Sequence, residues 1–357
     1  MYPKLEINLK KIRENISYVK KLCSESGVSI TGVIKGCSGS EQVAQQFLEQ
    51  GINSLGSSRI EQMKHIKSLE KSCETMLLRL PMLCEIEDVV SCCDISLNSE
   101  RVVLEALNEA SKRLGKKHQV ILMYDLGDLR EGVWLPDELV TLSNAVESMD
   151  GLHLLGIGAN LSCYGSVKPT IKNMKRLISV TELVEVSIGR SLEIISGGAT
   201  STLPLIKDNK LPKRINHLRC GEGIILGKDL GEYYDCQIPL HTDTFLLKAQ
   251  IIELKEKPSH PYGELVVDAF GNHPVYHDRG IRKRAILAIG KQDFGSHEKL
   301  ISVDNRVLII GSSSDHLIVD VTEASDYQVG DIISFTMYYQ PMLYLSLSND
   351  VYKSFVL

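Results

Sequence analysis

A lysine at residue 35 stands where its amine could act as a nucleophile. The segment "GVIKGCSG" (residues 32–39) runs from an apolar, strand-like sequence through Lys35 directly into glycine and serine. Low-dielectric surroundings at the end of a buried strand lower the pKa of a lysine, and a neutral amine can form a Schiff base with a carbonyl group. Lys35 is therefore the first catalytic candidate, and the alternative is a surface lysine that caps a strand.

The segment "SGGATST" (residues 196–202) has the composition of a phosphate-binding loop. It combines glycines with the hydroxyl groups of Thr200, Ser201 and Thr202. Successive backbone N–H groups and hydroxyls of this kind can surround a phosphate. The same composition also occurs in ordinary turns, but a phosphate site in this chain would strengthen the catalytic interpretation of Lys35.

The elements that must position these residues follow from the period of the apolar side chains. Eight β-rich runs alternate with helix-like stretches before residue 236. Such an alternation predicts parallel strands with crossover helices, and eight strands close most simply as a TIM barrel. A doubly wound open sheet is the alternative. The eight runs are "VSITGVI", "INSLGSS", "TMLLRLP", "CDISLNS", "QVILMYDLG", "LLGIGANL", "LEIISGG" and "INHLRCGEGI".

In a TIM barrel the active site is built from the loops at the carboxyl ends of the strands. Residues that directly follow each predicted strand are therefore candidates. Besides Lys35 and the phosphate loop, they are Ser57, Ser58, Arg59, Asp125, Arg130, Asn160, Cys163, Tyr164, Arg219, Gly221 and Glu222.

The sequence changes character near residue 236. The remainder consists of short β-runs separated by Gly, Pro, Asp and Ser, with no convincing amphipathic helix, and these runs include "GELVVDAFG" (263–271) and "MLYLSLS" (342–348). We therefore predict a barrel domain over residues 1–235 and an all-β domain over residues 236–357.

Composition excludes several classes of protein. The chain is 43% hydrophobic and 24% charged with a formal net charge of -5, which is typical of a globular enzyme and lacks the basic excess of a nucleic-acid partner. No apolar run approaches the roughly 20 residues that span a bilayer, and the N-terminus lacks the apolar core of a signal peptide. The nine cysteines form no disulfide or metal pattern, so we expect reduced thiols and a cytoplasmic location.

Five segments, in order, resemble those of the fold-type III, pyridoxal-phosphate-dependent alanine racemase family, and within it most closely the ornithine racemases. The resemblance implies a pyridoxal-phosphate cofactor and amino-acid racemisation. It also implies a homodimer in which the β domain of one subunit completes the active site of the other. The segments are "LEINLKKIRENI", "GVIKG", "YDLGDLREG", "SGGATS" and "HLRCGEGIILG".

The resemblance also implies roles for individual residues. Lys35 would form the Schiff base, Arg219 would face the pyridine nitrogen, and Arg130 would bind the substrate carboxylate. A permanent cation at the pyridine nitrogen weakens the electron sink, which suits racemisation because the carbanion is short-lived. The alternative for Arg219 is a salt bridge to Glu222 or another nearby acid. The phosphate would be held by Thr200, Ser201 and the backbone at Gly221 and Glu222.

Racemisation needs an acid/base group on each face of a planar carbanion. The tyrosine that alanine racemases use for the second face is absent here, and counting from Gly263 and Glu264 places Asp268 in its position. A carboxylate can do this work only if its pKa is raised, and the alternative is that Asp268 is a turn residue. Cys163, in the loop after the sixth barrel strand, is the second candidate.

A serine at residue 314 indicates a longer substrate than alanine. Ser314 stands beside Asp315 where alanine racemases carry a methionine before the aspartate, and we assign both residues to substrate binding. The terminal ammonium of ornithine would need a nearby acid, for which Glu222, Asp293 and Asp315 are candidates. We therefore predict an enzyme that interconverts L- and D-ornithine. The alternatives are an alanine or broad lysine racemase, a pyridoxal-phosphate carrier and a decarboxylase of the same fold.

Metal-dependent relatives of this fold carry an HxC ligand pair late in the chain. No HxC occurs in the sequence, so no metal is predicted.

Overall fold

The eight predicted strands form a closed parallel barrel in the computed structural model, which describes residues 1–69 and 73–357. The last barrel strand pairs in parallel with the first, with Ile30 opposite Leu218, so no edge is left open. The TIM-barrel prediction is confirmed and the open-sheet alternative is wrong. After β1 (Lys4–Asn8), the barrel strands are β2 (Ser29–Val33), β3 (Ser54–Ser57), β4 (Glu74–Leu77), β5 (Ile95–Asn98), β6 (His118–Met123), β7 (Leu152–Gly158), β8 (Ile194–Ala199) and β9 (His217–Cys220).

Amphipathic helices connect the barrel strands and cover them. In the second helix Val43, Ala44 and Phe47 are buried. A Cβ on Gly32 would lie 2.6 Å from the Phe47 ring, so only glycine at residue 32 lets the ring pack this close to the strand. No helix of the described residues is long and apolar enough to cross a membrane. The helices are α1 (Leu9–Ser24), α2 (Glu41–Glu49), α3 (Ile60–Lys67), α4 (Ile86–Cys92), α5 (Arg101–Arg113), α6 (Pro136–Glu147), α7 (Ile171–Ile188), α8 (Leu203–Lys207), α9 (Glu222–Ile225) and α10 (Asp229–Tyr234).

The barrel has an apolar sector and a polar sector. Strands β4 to β7 contribute a cluster of buried apolar residues that includes Met76, Ile95 and Ile121. Each such side chain stabilises the fold by about 1.5–3 kcal/mol. Strands β2, β8 and β9 instead carry the buried polar residues Thr31, Ser196 and His217, and His217 hydrogen-bonds to both of the others. This polar sector leads to the candidate site.

The second compact unit consists of residues 1–9 and 242–357. Its main sheet has the order β12-β15-β10-β11-β14-β13, and β1 pairs with β10 and β16. The first nine residues therefore pack with this unit, whereas the sequence analysis placed them with the barrel and set the boundary at 235/236. The elements are β10 (Phe245–Pro258), β11 (Ile281–Leu287), α11 (Lys291–Phe294), β12 (Leu300–Ser302), β13 (Leu308–Ser312), β14 (Leu317–Asp320), β15 (Ile332–Met337), α12 (Tyr339–Leu347) and β16 (Tyr352–Val356).

Two predicted β-runs are wrong. The segment "GELVVDAFG" contains no strand, and its Leu265, Val266 and Val267 are 49%, 74% and 49% exposed. The segment "MLYLSLS" lies mostly in α12, where Met342 and Leu345, three residues apart, are buried while Leu347 is 63% exposed. The alternation of leucines resembled a strand, but the buried face follows the helical period.

The close approach of β7 to β8 at Gly156 can be tested by substitution. A Cβ on this residue would lie 2.1 Å from the carbonyl oxygen of Ile194 on the adjacent strand. Because that contact is with backbone, Gly156→Ala must distort the barrel, and we expect a loss of stability of about 2 kcal/mol. Urea unfolding followed by circular dichroism measures it. Gly311→Ala is the control because nothing lies within 4 Å of its Cβ position. Equal midpoints for both variants would contradict the prediction.

Candidate active site

Lys35 lies in a short 3-10 turn directly after β2, at the carboxyl end of the barrel. The turn is anchored because the N–H of Ile34 donates to the carbonyl of Gly56 at 3.0 Å on the neighbouring strand. Burial lowers the pKa of the Lys35 ammonium, while the nearby Cys163 thiol acts against this shift and the positive charge of Arg130 reinforces it. The structure thus gives Lys35 the lowered pKa that a nucleophilic amine requires.

Arg219 is a buried guanidinium, only 4% exposed, on β9. Its Nη2 donates to the carbonyl of Ala159 at 2.8 Å and to Oδ1 of Asn160 at 2.6 Å, and its Nη1 donates to Oγ of Ser196. Burial lowers the pKa of Arg219 to about 10. Since these three partners are neutral, the contacts do not support the alternative of a salt bridge to Glu222.

A hydrogen-bonded chain extends from Arg219 across the polar sector of the barrel. Oγ of Ser196 lies 2.8 Å from Nδ1 of His217, and Nε2 of His217 lies 2.9 Å from Oγ1 of Thr31, which reaches Ser54 at 2.8 Å. The Ser196 oxygen accepts a hydrogen bond from Arg219, so the Ser196 hydroxyl donates its own hydrogen to Nδ1 of His217. The neutral imidazole of His217 therefore carries its proton on Nε2. Burial and Arg219 lower the pKa of His217 to about 3, so the imidazole is neutral.

Sequence reasoning missed His217. It lies two residues before Arg219 on β9, and residues two apart share one face of a strand. This "HLR" spacing is the signal that could have identified it.

Arg130 is held by the carboxylate of Glu131. Nη2 donates to Oε1 at 2.8 Å and Nε donates to Oε2, and this pairing raises the pKa of Arg130. Nδ2 of Asn160 also donates to Glu131, so Asn160 bridges Glu131 to Arg219. The two arginines proposed from the sequence therefore belong to one hydrogen-bonded network, whose linking residues the sequence analysis left without roles.

The loop that carries Cys163 is clamped by Asp128, a residue that sequence reasoning missed. The Asp128 carboxylate is 1% exposed and accepts the backbone N–H groups of Ser162 and Tyr164, each at 3.0 Å. Ser162 has a φ of 62°, a left-handed conformation that is uncommon for serine. Asp128 thus holds an otherwise strained loop that leaves the Cys163 side chain exposed.

The predicted phosphate loop packs closely against the start of α9. The N–H of Gly223 donates to Oγ1 of Thr200 at 3.3 Å, and a Cβ on Gly223 would lie 2.0 Å from Cγ2 of Thr200. Ser201 is buried and its hydroxyl donates to the carbonyl of Leu161 at 3.4 Å, and the hydroxyls of Ser201 and Ser162 lie near enough to the phenol of Tyr234 to influence its pKa. Tyr234, which the sequence analysis did not single out, therefore brings a further hydroxyl to a site that could hold a phosphate.

Asp268 lies in the second unit and is bonded as a turn residue. Its Oδ1 accepts the N–H groups of Phe270 and Asn272, both at 2.8 Å. Hydrogen bonds from Asn272, with help from Phe270 and Lys291, lower the pKa of Asp268. The catalytic prediction required a raised pKa, so the geometry of the single chain agrees with the turn alternative.

The other predicted residues of the second unit are also engaged in hydrogen bonds. Oγ of Ser314 donates to Asp315 at 2.6 Å, and Gln292 donates to the same carboxylate at 2.9 Å. Asp293 accepts the hydroxyl of Ser348 at 3.1 Å. Asp268 and Ser314 both line one groove of about 1230 Å³ within this unit.

Comparisons with known proteins identify the family. Residues 7–228 match the family model described as "Alanine racemase, N-terminal domain", and the chain belongs to this family. It is 44% identical to an ornithine racemase of Acetoanaerobium sticklandii, covering 96% of each chain, and 39% identical to a lysine racemase of Thermotoga maritima, covering 99% of this chain and 98% of the relative.

Solved structures show the same fold. An alanine racemase from Streptomyces lavendulae matches with a TM-score of 0.77 at 15% identity, over 100% of this chain and 98% of the other. An alanine racemase from Bartonella henselae, described with covalently bound pyridoxal phosphate, matches with a TM-score of 0.75 at 17% identity, over 99% of each chain. The fold prediction and the family resemblance are therefore confirmed.

The neutral state of His217 can be tested through the pH dependence of stability. Its pKa falls from 6.5 to about 3 on folding, so between these values only the unfolded chain takes up the proton. Stability is then lost as the pH falls from 6.5, at up to about 1.4 kcal/mol per pH unit. We expect His217→Gln to flatten this slope, measured by urea unfolding between pH 6.5 and 4. His273→Gln, an exposed histidine, is the control. A His217→Gln slope equal to that of the unmodified chain would contradict the assignment.

Proposed function

We propose that the protein is a pyridoxal-phosphate-dependent racemase that interconverts L- and D-ornithine. The observation that carries the proposal is the half-buried Lys35 amine with a lowered pKa, which lies near Cys163, Arg130 and Arg219. This arrangement provides a nucleophile, a carboxylate-binding cation and a buried cation in one barrel mouth. The 44% identity to an ornithine racemase supports the choice of substrate.

The residues at the barrel mouth fit pyridoxal phosphate. Lys35 would attach the aldehyde carbon, and Arg219 would lie at the pyridine nitrogen. The surface where Gly223 leaves no space for a Cβ beside Thr200 would take the phosphate, with the hydroxyls of Ser201 and Tyr234 and the backbone of Gly221 and Glu222. When bound, the cofactor supplies an electron sink that acidifies the α-hydrogen of an amino acid.

Arg219 tunes that electron sink. Its guanidinium is buried, and its hydrogen-bond partners Ser196, Ala159 and Asn160 are uncharged. Because a guanidinium is already protonated, it cannot accept a proton from a neighbouring group. With pyridoxal phosphate bound, it would disfavour a proton on the pyridine nitrogen and so limit the electron sink. A carbanion at the α-carbon then has a short lifetime, which favours return of a proton over side reactions.

Lys35 and a second group must move the α-proton on opposite faces of the substrate. Cys163 is a better candidate for the second group than Asp268, because Cys163 lies near enough to Lys35 to influence its pKa whereas hydrogen bonds lower the pKa of Asp268. Arg130 would orient the substrate carboxylate from its fixed position on Glu131. We further propose a homodimer in the cytoplasm, with the second unit of each chain, including Ser314 and Asp315, reaching the site of its partner.

The activity is tested with single enantiomers of ornithine, lysine, alanine and serine in deuterated solvent. We expect ornithine to be racemised fastest, lysine next and alanine poorly, with deuterium entering the α-position of both enantiomers. Chiral chromatography with mass spectrometry measures both quantities. Release of carbon dioxide would identify a decarboxylase, and an absence of α-exchange with every amino acid would leave a carrier.

Lys35→Ala is the matched variant for this experiment. It removes both the attachment point and one proton-transfer group, so turnover should fall by several orders of magnitude. Borohydride should fix the cofactor to Lys35 in the unmodified protein and to no residue in the variant. Substantial activity of Lys35→Ala would show that Lys35 is a surface lysine of no catalytic importance.

The second acid/base group is tested by comparing Cys163→Ala with Asp268→Asn. We expect Cys163→Ala to lower racemisation by about 100-fold or more. Exchange of the α-hydrogen of one enantiomer should persist because Lys35 still serves one face, which nuclear magnetic resonance in deuterated solvent detects.

Asp268→Asn should retain activity within about threefold, as expected for a hydrogen-bonded turn residue. If Asp268→Asn lost activity and Cys163→Ala retained it, Asp268 would be the second acid/base group. In that case a mixture of the inactive Lys35→Ala and Asp268→Asn chains should regain activity, because a dimer would contain one complete site.

A further inference from the structure

Asp128 joins the two loops of the barrel mouth that carry Arg130 and Cys163. It lies in the loop after β6, two residues before Arg130, and its buried carboxylate accepts hydrogen bonds from backbone N–H groups of the loop after β7. One side chain thus connects the loop of the proposed substrate-binding cation to the loop of the proposed acid/base thiol. The donors are Ser162 and Tyr164, each at 3.0 Å, and Val167 at 3.4 Å.

The two shorter hydrogen bonds hold Cys163 from both sides. The N–H of Ser162 donates to Oδ1 of Asp128, and the N–H of Tyr164 donates to Oδ2. These donors belong to the residues immediately before and after Cys163, so both oxygens of the carboxylate are needed to fix it. An asparagine has one acceptor oxygen on its side chain and would leave one of the two N–H groups without an acceptor.

The Cys163 loop depends on these bonds to keep its shape. Ser162 and Ser166 have φ values of 62° and 56°, in the left-handed region that costs free energy for residues other than glycine. The loop is closed by the Ser162 hydroxyl, which donates to the carbonyl of Val167 at 2.9 Å. A Cβ on Gly165 would lie 2.5 Å from the carbonyl oxygen of Asp128, so the loop also packs directly on the backbone of Asp128. Strain of this kind persists only where the surrounding contacts enforce it.

Asp128 is itself fixed in place. Its two sequence neighbours, Gly127 and Leu129, donate their N–H groups to Oδ1 of Asp125 at 2.7 Å and 3.2 Å. Arg130 follows directly in the same loop. The Asp128 carboxylate therefore transmits the position of this loop, and with it that of Arg130, to the loop after β7.

We propose that Asp128 is a positioning residue that sets Cys163 at the face of the substrate opposite Lys35. The inference rests on the proposed racemase function, in which Cys163 and Lys35 serve opposite faces while Arg130 holds the substrate carboxylate. Proton transfer requires hydrogen-bonding distance, and a displacement of about 1 Å can cost about 100-fold in rate. Asp128 acts through Cys163 and transfers no proton itself.

The test measures α-hydrogen exchange of each ornithine enantiomer separately, with the holoenzyme in deuterated solvent. The enantiomer that Cys163→Ala no longer exchanges identifies the Cys163 face. Asp128→Asn should slow exchange of that enantiomer by about 30-fold and leave exchange of the other within about threefold. The KM for ornithine should change by less than about threefold, because Arg130 keeps its carboxylate partner Glu131.

Gly165→Ala is a second variant that displaces the same loop without altering the carboxylate, and it should cause the same one-sided loss. In a Cys163→Ala background, Asp128→Asn should change the remaining exchange by less than about threefold, because the residue through which it acts is already gone. Amide hydrogen exchange followed by mass spectrometry should be at least about fivefold faster over residues 161–167 in Asp128→Asn.

The matched control is Asp94→Asn. Asp94 lies directly before β5, at the opposite end of the barrel strands, and its Oδ2 accepts the N–H of Thr75 at 2.8 Å. This substitution also removes a carboxylate acceptor from a backbone N–H, but it should leave both exchange rates and the amides of residues 161–167 unchanged. Thermal unfolding midpoints show whether each variant is folded.

The outcomes separate the positioning role from the racemase function. A loss of equal size for both enantiomers in Asp128→Asn, or an unchanged rate on the Cys163 face, overturns the positioning role and leaves the racemase function intact. Exchange of both enantiomers by Cys163→Ala also overturns it, because Cys163 would then serve no face. If the unmodified enzyme exchanges no α-hydrogen of any amino acid, the racemase function is refuted and the positioning role with it.

Discussion

A full positive charge buried without a carboxylate partner is the constraint on which the barrel mouth depends. Taking a guanidinium out of water is costly, and the cost is offset only when every donor finds an acceptor. Arg219 donates three hydrogen bonds toward this requirement, to Ser196, Ala159 and Asn160, which come from β8 and from the chain that follows β7. Since these acceptors are neutral, the charge remains available to a ligand at the barrel mouth.

The same constraint organises the residues around Arg219. Ser196 can accept from Arg219 and donate to His217 only if His217 is neutral at Nδ1, and burial keeps it neutral. On the other side, Asn160 accepts from Arg219 and donates to Glu131, which fixes Arg130. A single network therefore connects residues from β2, β3, β8 and β9 with two loops of the mouth, so a change at one member alters the positions of the others.

Carboxyl groups in the two units are stabilised in opposite ways. Asp268 and Asp304 in the second unit accept hydrogen bonds that lower their pKa values, so they stay charged at neutral pH. In the barrel, desolvation raises the pKa of both Glu222 and Asp229. Desolvation thus favours the neutral form of a carboxyl, whereas several hydrogen-bond donors make it a fixed structural anion.

Local patterns in the sequence were sufficient for the eight barrel strands and for placing Lys35 and residues 200–202 at strand ends, because period and strand-end position depend on neighbouring residues only. They failed for "MLYLSLS", where alternating leucines resembled a strand while the core selected the face bearing Met342 and Leu345. Only the tertiary structure identified His217, Glu131 and Asp128, because their roles arise from contacts between segments distant in the chain. Whether a carboxyl is a turn anchor, as Asp268 is, or a buried link between two loops, as Asp128 is, depends on which donors and charges the fold brings to it, and no spacing in the sequence contains that information.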